Sequence, residues 1–69
     1  MNIYVFKTSI KPRDIETVNA MLLSLIPTSK WNYDLEDCDN ILRIESTKDV
    51  VALVCSQLSN GGFYCEELE

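Results

Sequence analysis

The chain contains no histidine. The side chain whose ordinary pKa lies nearest neutrality is therefore absent, and with it every Ser–His or Cys–His pair and every imidazole metal ligand. Glycine is nearly absent too. The two present, Gly61 and Gly62, are adjacent, which leaves nothing from which to build a glycine-rich phosphate loop. No apolar run approaches the roughly 18 residues that a membrane span requires. The N-terminus shows no basic segment leading into an apolar one, so no secretion signal is read and the cytoplasm is the expected location. Positive charge is scarce, with six Lys and Arg against eleven Asp and Glu, for a net charge of -5. Residues 1–30 hold four cations and two acids, while residues 31–69 hold two cations and nine acids. Such a surface repels phosphate backbones, which argues against a nucleic-acid partner. Cys38, Cys55 and Cys65 are odd in number and widely spaced. They read as reduced thiols of an intracellular protein rather than a disulfide framework. With no catalytic pair and no cofactor motif, the expectation is a non-enzymatic protein without a cofactor.

What is present is an ordinary globular composition, 46% hydrophobic and 25% charged over 69 residues, which makes one domain, 1–69. A chain this short buries only about 60% of the surface its unfolded form exposes. A partner or a second copy could supply further stability.

Residues 2–8 alternate as a strand, with Tyr4, Phe6 and Thr8 on one side and Ile3, Val5 and Lys7 on the other. Ile10 continues the parity of Phe6, so the Tyr4 side is the expected core. Pro12 suits the first position of a helix, because its missing N–H has no partner to lose there. Asp14 and Glu16 follow in the first turn, where the helix dipole favours acids. Ile15, Val18, Leu22 and Leu25 recur at helical spacing, flanked by Met21 and Ile26, until Pro27 ends the helix. Ile15 is expected to be the first core residue of this helix. Residues 31–35 and 41–45 read as a hairpin across the polar loop 36–40. Ser46 or Thr47 is the expected cap of a second helix, in a sequence that resembles a capping box with Asp49 at its end. Val51, Val54, Cys55 and Leu58 form the buried stripe of that helix. Gly61 and Gly62 end it, and residues 63–68 supply a short last strand.

The order strand, helix, strand, strand, helix, strand is that of an α+β, ferredoxin-like βαββαβ sandwich. Its plan is a four-stranded antiparallel sheet with both helices on one face.

Several stretches resemble the heavy-metal-associated (HMA) family of small copper-chaperone domains. Tyr4-x-Phe6-Lys7-Thr8-x-Ile10 is similar to its first strand. Trp31-x-Tyr33-Asp34-Leu35 and Ile41-Leu42-x-Ile44 are similar to its middle hairpin, and Gly62-Phe63 to the pair before its last strand. The resemblance implies the sandwich fold and a turn reading Met-x-Cys-x-x-Cys that holds a soft metal ion. Here Ile10 stands at the Met position, and Pro12 and Ile15 stand at the two Cys positions. Copper(I) prefers thiolates, whereas Pro12 has no donor atom and Ile15 offers only carbon, so no metal is expected at this turn.

Other donors are weaker candidates. Asp14 and Glu16 diverge by about 200° on a helix and cannot share an ion. Cys38, flanked by Asp37 and Asp39, is a weak alternative metal ligand, with acidic neighbours that disfavour the thiolate. Cys55 and Cys65 read as small core residues.

The expectation is therefore an HMA-like interaction or self-association module that has lost its copper-binding pair. It would use the sheet face away from the helices, to form a homodimer or to meet a protein partner. Ile3 and Val5 are the first residues of that face. The hairpin adds either Trp31, Tyr33 and Leu35 or the alternating set, and Trp31 and Tyr33 are the named candidates because aromatics are favoured at interfaces. Two alternatives stand beside it. One is a protein that handles copper or zinc through Cys38, Cys55 or Cys65, and the other is a regulatory domain that senses a small ligand.

Overall fold

Residues 2–36 and 38–68 are described by the computed structural model. Strand β1 (Asn2–Thr8) follows the alternation of its sequence, with Phe6 and Thr8 buried while Ile3 stays exposed. A single 3-10 turn (Pro12–Asp14) leads into helix α1 (Ile15–Leu25). Strands β2 (Lys30–Asp34) and β3 (Ile41–Ser46), helix α2 (Val51–Asn60) and strand β4 (Cys65–Leu68) complete the chain.

The four strands form one sheet in the order β2-β3-β1-β4, and every neighbouring pair is antiparallel. Each strand–helix–strand half leaves a gap that a strand of the other half fills. β3 lies between β1 and β2, and β1 lies between β3 and β4. Register fixes which side chains share a face. Phe6 pairs with Leu42 and Leu42 with Tyr33; Tyr4 pairs with Ile44 and Ile44 with Trp31; Thr8 pairs with Cys65. On that face Phe6, Leu42 and Ile44 form one buried cluster with Val18 and Leu22 of α1 and Val54 and Leu58 of α2. Both helices therefore cover the same side of the sheet. The paired residues one step along each strand lie on the other side, because side chains alternate.

Three local expectations are corrected. Ile15 is half-buried and lies outside the core cluster. It sits in the first turn of α1, at the end of the sheet, beside Pro12, Tyr33 and Leu35. The core of α1 starts one turn later, at Val18. Ser46 and Thr47 do not cap α2. β3 runs on through Ser46, whose Oγ accepts the Lys48 N–H at 3.2 Å. Instead Asp49 Oδ1 accepts the Val51 N–H at 3.0 Å, and the Val50 carbonyl accepts the Val54 N–H at 2.9 Å. Val50 is buried against the core, so the chain folds inward before the helix starts. The last strand is also shorter than expected, because Phe63 belongs to the cap of α2.

That cap is a Schellman motif. The Phe63 N–H reaches the Leu58 carbonyl at 2.8 Å and the Gly62 N–H reaches the Ser59 carbonyl at 3.0 Å. Gly62 takes φ +88, a conformation open to glycine at little cost. Pro27 follows the last residues of α1 as expected, and Ile26 is buried there.

Candidate functional site

The turn between β1 and α1 holds no thiolate at the family's metal positions, Pro12 and Ile15. Ile10 is fully buried in the core. The Lys11 N–H donates to Asp14 Oδ2 at 3.0 Å, and the Asp14 N–H donates to the Lys11 carbonyl at 2.8 Å. Asp14 is thus used in closing the turn. Thr8 ties the turn to the hairpin loop. Its hydroxyl donates to the Asn40 carbonyl at 2.6 Å and accepts the Ile10 N–H at 3.1 Å, and its N–H donates to the Asp39 carbonyl at 3.1 Å. Ser9 ties the same turn to the approach of β4, through mutual hydrogen bonds with Tyr64. Pro12 and Ile15 face a shallow depression of about 330 Å³, completed by Tyr33, Asp34, Leu35 and Glu36. Its walls near the turn are carbon, so what the depression offers there is apolar contact.

The four residues expected to line one surface lie on two. Ile3 and Val5 are on the face that the helices leave open. Trp31 and Tyr33 are on the helix-covered side, half-buried against the core. Both aromatics are anchored to α1, because Asn19 Oδ1 accepts from Trp31 Nε1 at 3.0 Å and from the Tyr33 hydroxyl at 2.7 Å. Burial pushes the Tyr33 phenol up to about 12, against a smaller downward pull from the Trp31 indole. The hairpin's contribution to the open face is the alternating set, Lys30, Asn32 and Asp34.

Three rows of side chains cross the open face. Lys30, Glu45 and Ile3 form the first, Asn32, Arg43, Val5 and Leu68 the second, and Asp34, Ile41, Lys7 and Glu66 the third. Ile3 is 62% exposed, while Val5 and Leu68 are half-buried and Ile41 is buried. Arg43 meets Asp34 at 3.8 Å, and Lys7 meets Asp39 of the hairpin loop at 3.6 Å. Arg43 stands opposite Val5 and Lys7 opposite Ile41, so both ion pairs border the apolar residues. A shallow depression of about 280 Å³ opens between Ile3, Lys30, Asn32, Arg43 and Glu45. The face holds three of the chain's six cations and an equal number of acids. It is electrically balanced in a chain whose net charge is -5.

Cys38 is exposed in the hairpin loop. Asp37, named with it as a candidate ligand, lies outside the described residues, and among the described residues no three metal-donor side chains gather. Cys55 and Cys65 are half-buried, and their Sγ atoms lie 3.1 Å apart. Each is inward-facing, as its position in the sequence indicates. Their contact depends on how the cap of α2 returns the chain to β4, and neither residue's periodicity reveals it. Burial pushes the Cys65 thiol well above its usual range, and the hydrogen bond and charge of Cys55 push the same way.

No described helix is long and apolar enough to cross a membrane. No protein-family model, curated protein or solved structure matches the chain.

Proposed function

We propose that the chain is a non-catalytic, HMA-like domain of ferredoxin-like plan that self-associates through its open sheet face. The observation that carries this reading is the composition of that face. An exposed Ile3 and a half-buried Val5 and Leu68 run across it, and its three cations are matched by three acids.

A face of one charge would repel its own copy. A balanced face can set a cation of one copy against an acid of the next while the apolar strips meet. The rest of the chain carries the whole excess of negative charge, which keeps the other surfaces apart. The strand order β2-β3-β1-β4, with a helix following β1 and another following β3, supports the ferredoxin-like plan. The donor-free turn at Pro12 and Ile15 supports a member of the HMA-like group that works without metal at the usual position. A reducing compartment, with the cytoplasm as the natural one, accords with the reading.

The test is charge substitution on the open face. Val5→Lys places an ammonium opposite Arg43 in the middle of the strip, and Ile3→Glu places a carboxylate opposite Glu45 at its exposed end. Burying either charge without a partner costs a few kcal/mol, so the dimer dissociation constant should rise roughly 100-fold. Circular dichroism should remain that of the parent. A dimer that survives both substitutions would refute the surface.

A further inference from the structure

Cys55 lies within α2, and Cys65 opens β4 on the helix-covered face, opposite Thr8. The Sγ–Sγ distance of 3.1 Å is about 1 Å longer than a disulfide bond. The two residues are held at this distance from both sides. The Schellman cap fixes the path from Leu58 to Phe63 through Gly62. The pairing of Cys65 with Thr8 fixes the start of β4, and Thr8 is locked by its hydrogen bonds to Ile10 and Asn40.

We infer that Cys55 and Cys65 are a covalent modification site, in which the two thiols close an intramolecular disulfide that joins α2 to β4. The inference is independent of self-association through the open face.

The electrons go to a low-molecular-weight disulfide such as oxidised glutathione. One cysteine, as its thiolate, attacks a sulfur of that disulfide and releases one glutathione thiol. The second cysteine then attacks the protein sulfur of the mixed disulfide and releases the other. The two protein thiols lose two protons and two electrons, and the oxidant becomes two thiols. Burial keeps the Cys65 thiol protonated at neutral pH, so the reaction is slow there and accelerates with alkalinity. The bond ties down the edge strand that carries Glu66 and Leu68. Closing a loop this short raises Tm by roughly 10 °C.

The test uses the full chain in glutathione buffers of increasing oxidised fraction at mildly alkaline pH, quenched with acid and analysed by mass spectrometry. Lys48 is the last basic residue, so both cysteines fall in one tryptic peptide. Further chymotryptic cleavage after Leu58 or Phe63 separates them unless they are bonded. The expected result is a chain lighter by two hydrogens, with a linked Cys55–Cys65 peptide pair. It should be kept in Cys38→Ser, lost in Cys55→Ser and Cys65→Ser, and accompanied by the rise in Tm. Thiols that stay reduced in the most oxidising buffer, or glutathione adducts without the linked pair, would overturn the inference. So would a preferred bond from Cys38 to either of the others.

Discussion

The Tyr33 hydroxyl donates to Asn19 Oδ1 at 2.7 Å, and the Trp31 indole shares the same oxygen at 3.0 Å. One helix residue thus fixes two aromatics of the edge strand β2. Asn19 lies on the exposed side of α1, so its replacement removes little packing. Asn19→Ala should lower stability by about 1 kcal/mol, the usual net worth of a small number of solvent-near hydrogen bonds. Asn19→Asp keeps the accepting oxygen and should lose less. Urea unfolding midpoints of the two variants check the order.

The same phenol makes stability depend on alkaline pH. Its folded pKa is raised to about 12 from an ordinary 10.0, so the folded state holds this proton more tightly than the unfolded state. Its contribution is intact below about pH 10 and is lost progressively toward pH 12. The raised Cys65 thiol acts with the same sign from its ordinary 9.0 upward. Unfolding midpoints should be insensitive to these groups at pH 7–8 and should fall beyond pH 9. Tyr33→Phe should flatten the part of the decline above pH 10. A decline of unchanged slope in Tyr33→Phe would contradict the assignment.

Gly61 and Gly62 should respond differently to alanine. At Gly62 a Cβ meets nothing within 4 Å, but φ is +88. The cost there is conformational, about 1–2 kcal/mol. At Gly61 the backbone is ordinary, and the Cβ would stand 3.0 Å from Met21 Cε, the mobile end of a flexible side chain. Gly62→Ala should therefore destabilise more than Gly61→Ala, and Gly62→Asn should recover part of the loss. Thermal melts of the three variants give the comparison.

The turn at Pro12 and Ile15 contributes no ligand, and this leads to a prediction about metal. Titration of the reduced chain with Cu(I) or Zn(II) against a competing chelator should leave no stoichiometric complex. Restoring donors with Pro12→Cys and Ile15→Cys together should create Cu(I) binding, because the helix start there favours thiolates. One tightly held ion in the parent chain, lost in Cys55→Ser, would transfer the metal role to the cysteine pair.

The legible parts of the fold were those where one period dominates. The alternation in β1 separates Phe6 from Val5, and the spacing of Val18 and Leu22 picks out the buried stripe of α1. The hairpin is ambiguous in sequence because Trp31 and Tyr33 suit an interface as well as a core, although aromatics in so small a domain are more often core. The polar alternates Asn32 and Asp34 carried the signal, since they mark the open side. The start of α2 is hard to place from sequence because three residues within four positions, Ser46, Thr47 and Asp49, all offer capping oxygens. Which one is used depends on the pairing of Ser46 with Asn2, a long-range contact. The proximity of Cys55 and Cys65 was hidden for a related reason. Ten positions separate them, and only the left-handed turn at Gly62 folds that separation into contact.

Sedimentation velocity of the wild-type chain over a wide concentration range, beside Val5→Lys, tests self-association through the open face most directly. The account predicts a concentration-dependent dimer for the wild type and a monomer for Val5→Lys, with both folded. A wild type that sediments as a monomer throughout, or a Val5→Lys variant that dimerises equally well, would contradict it.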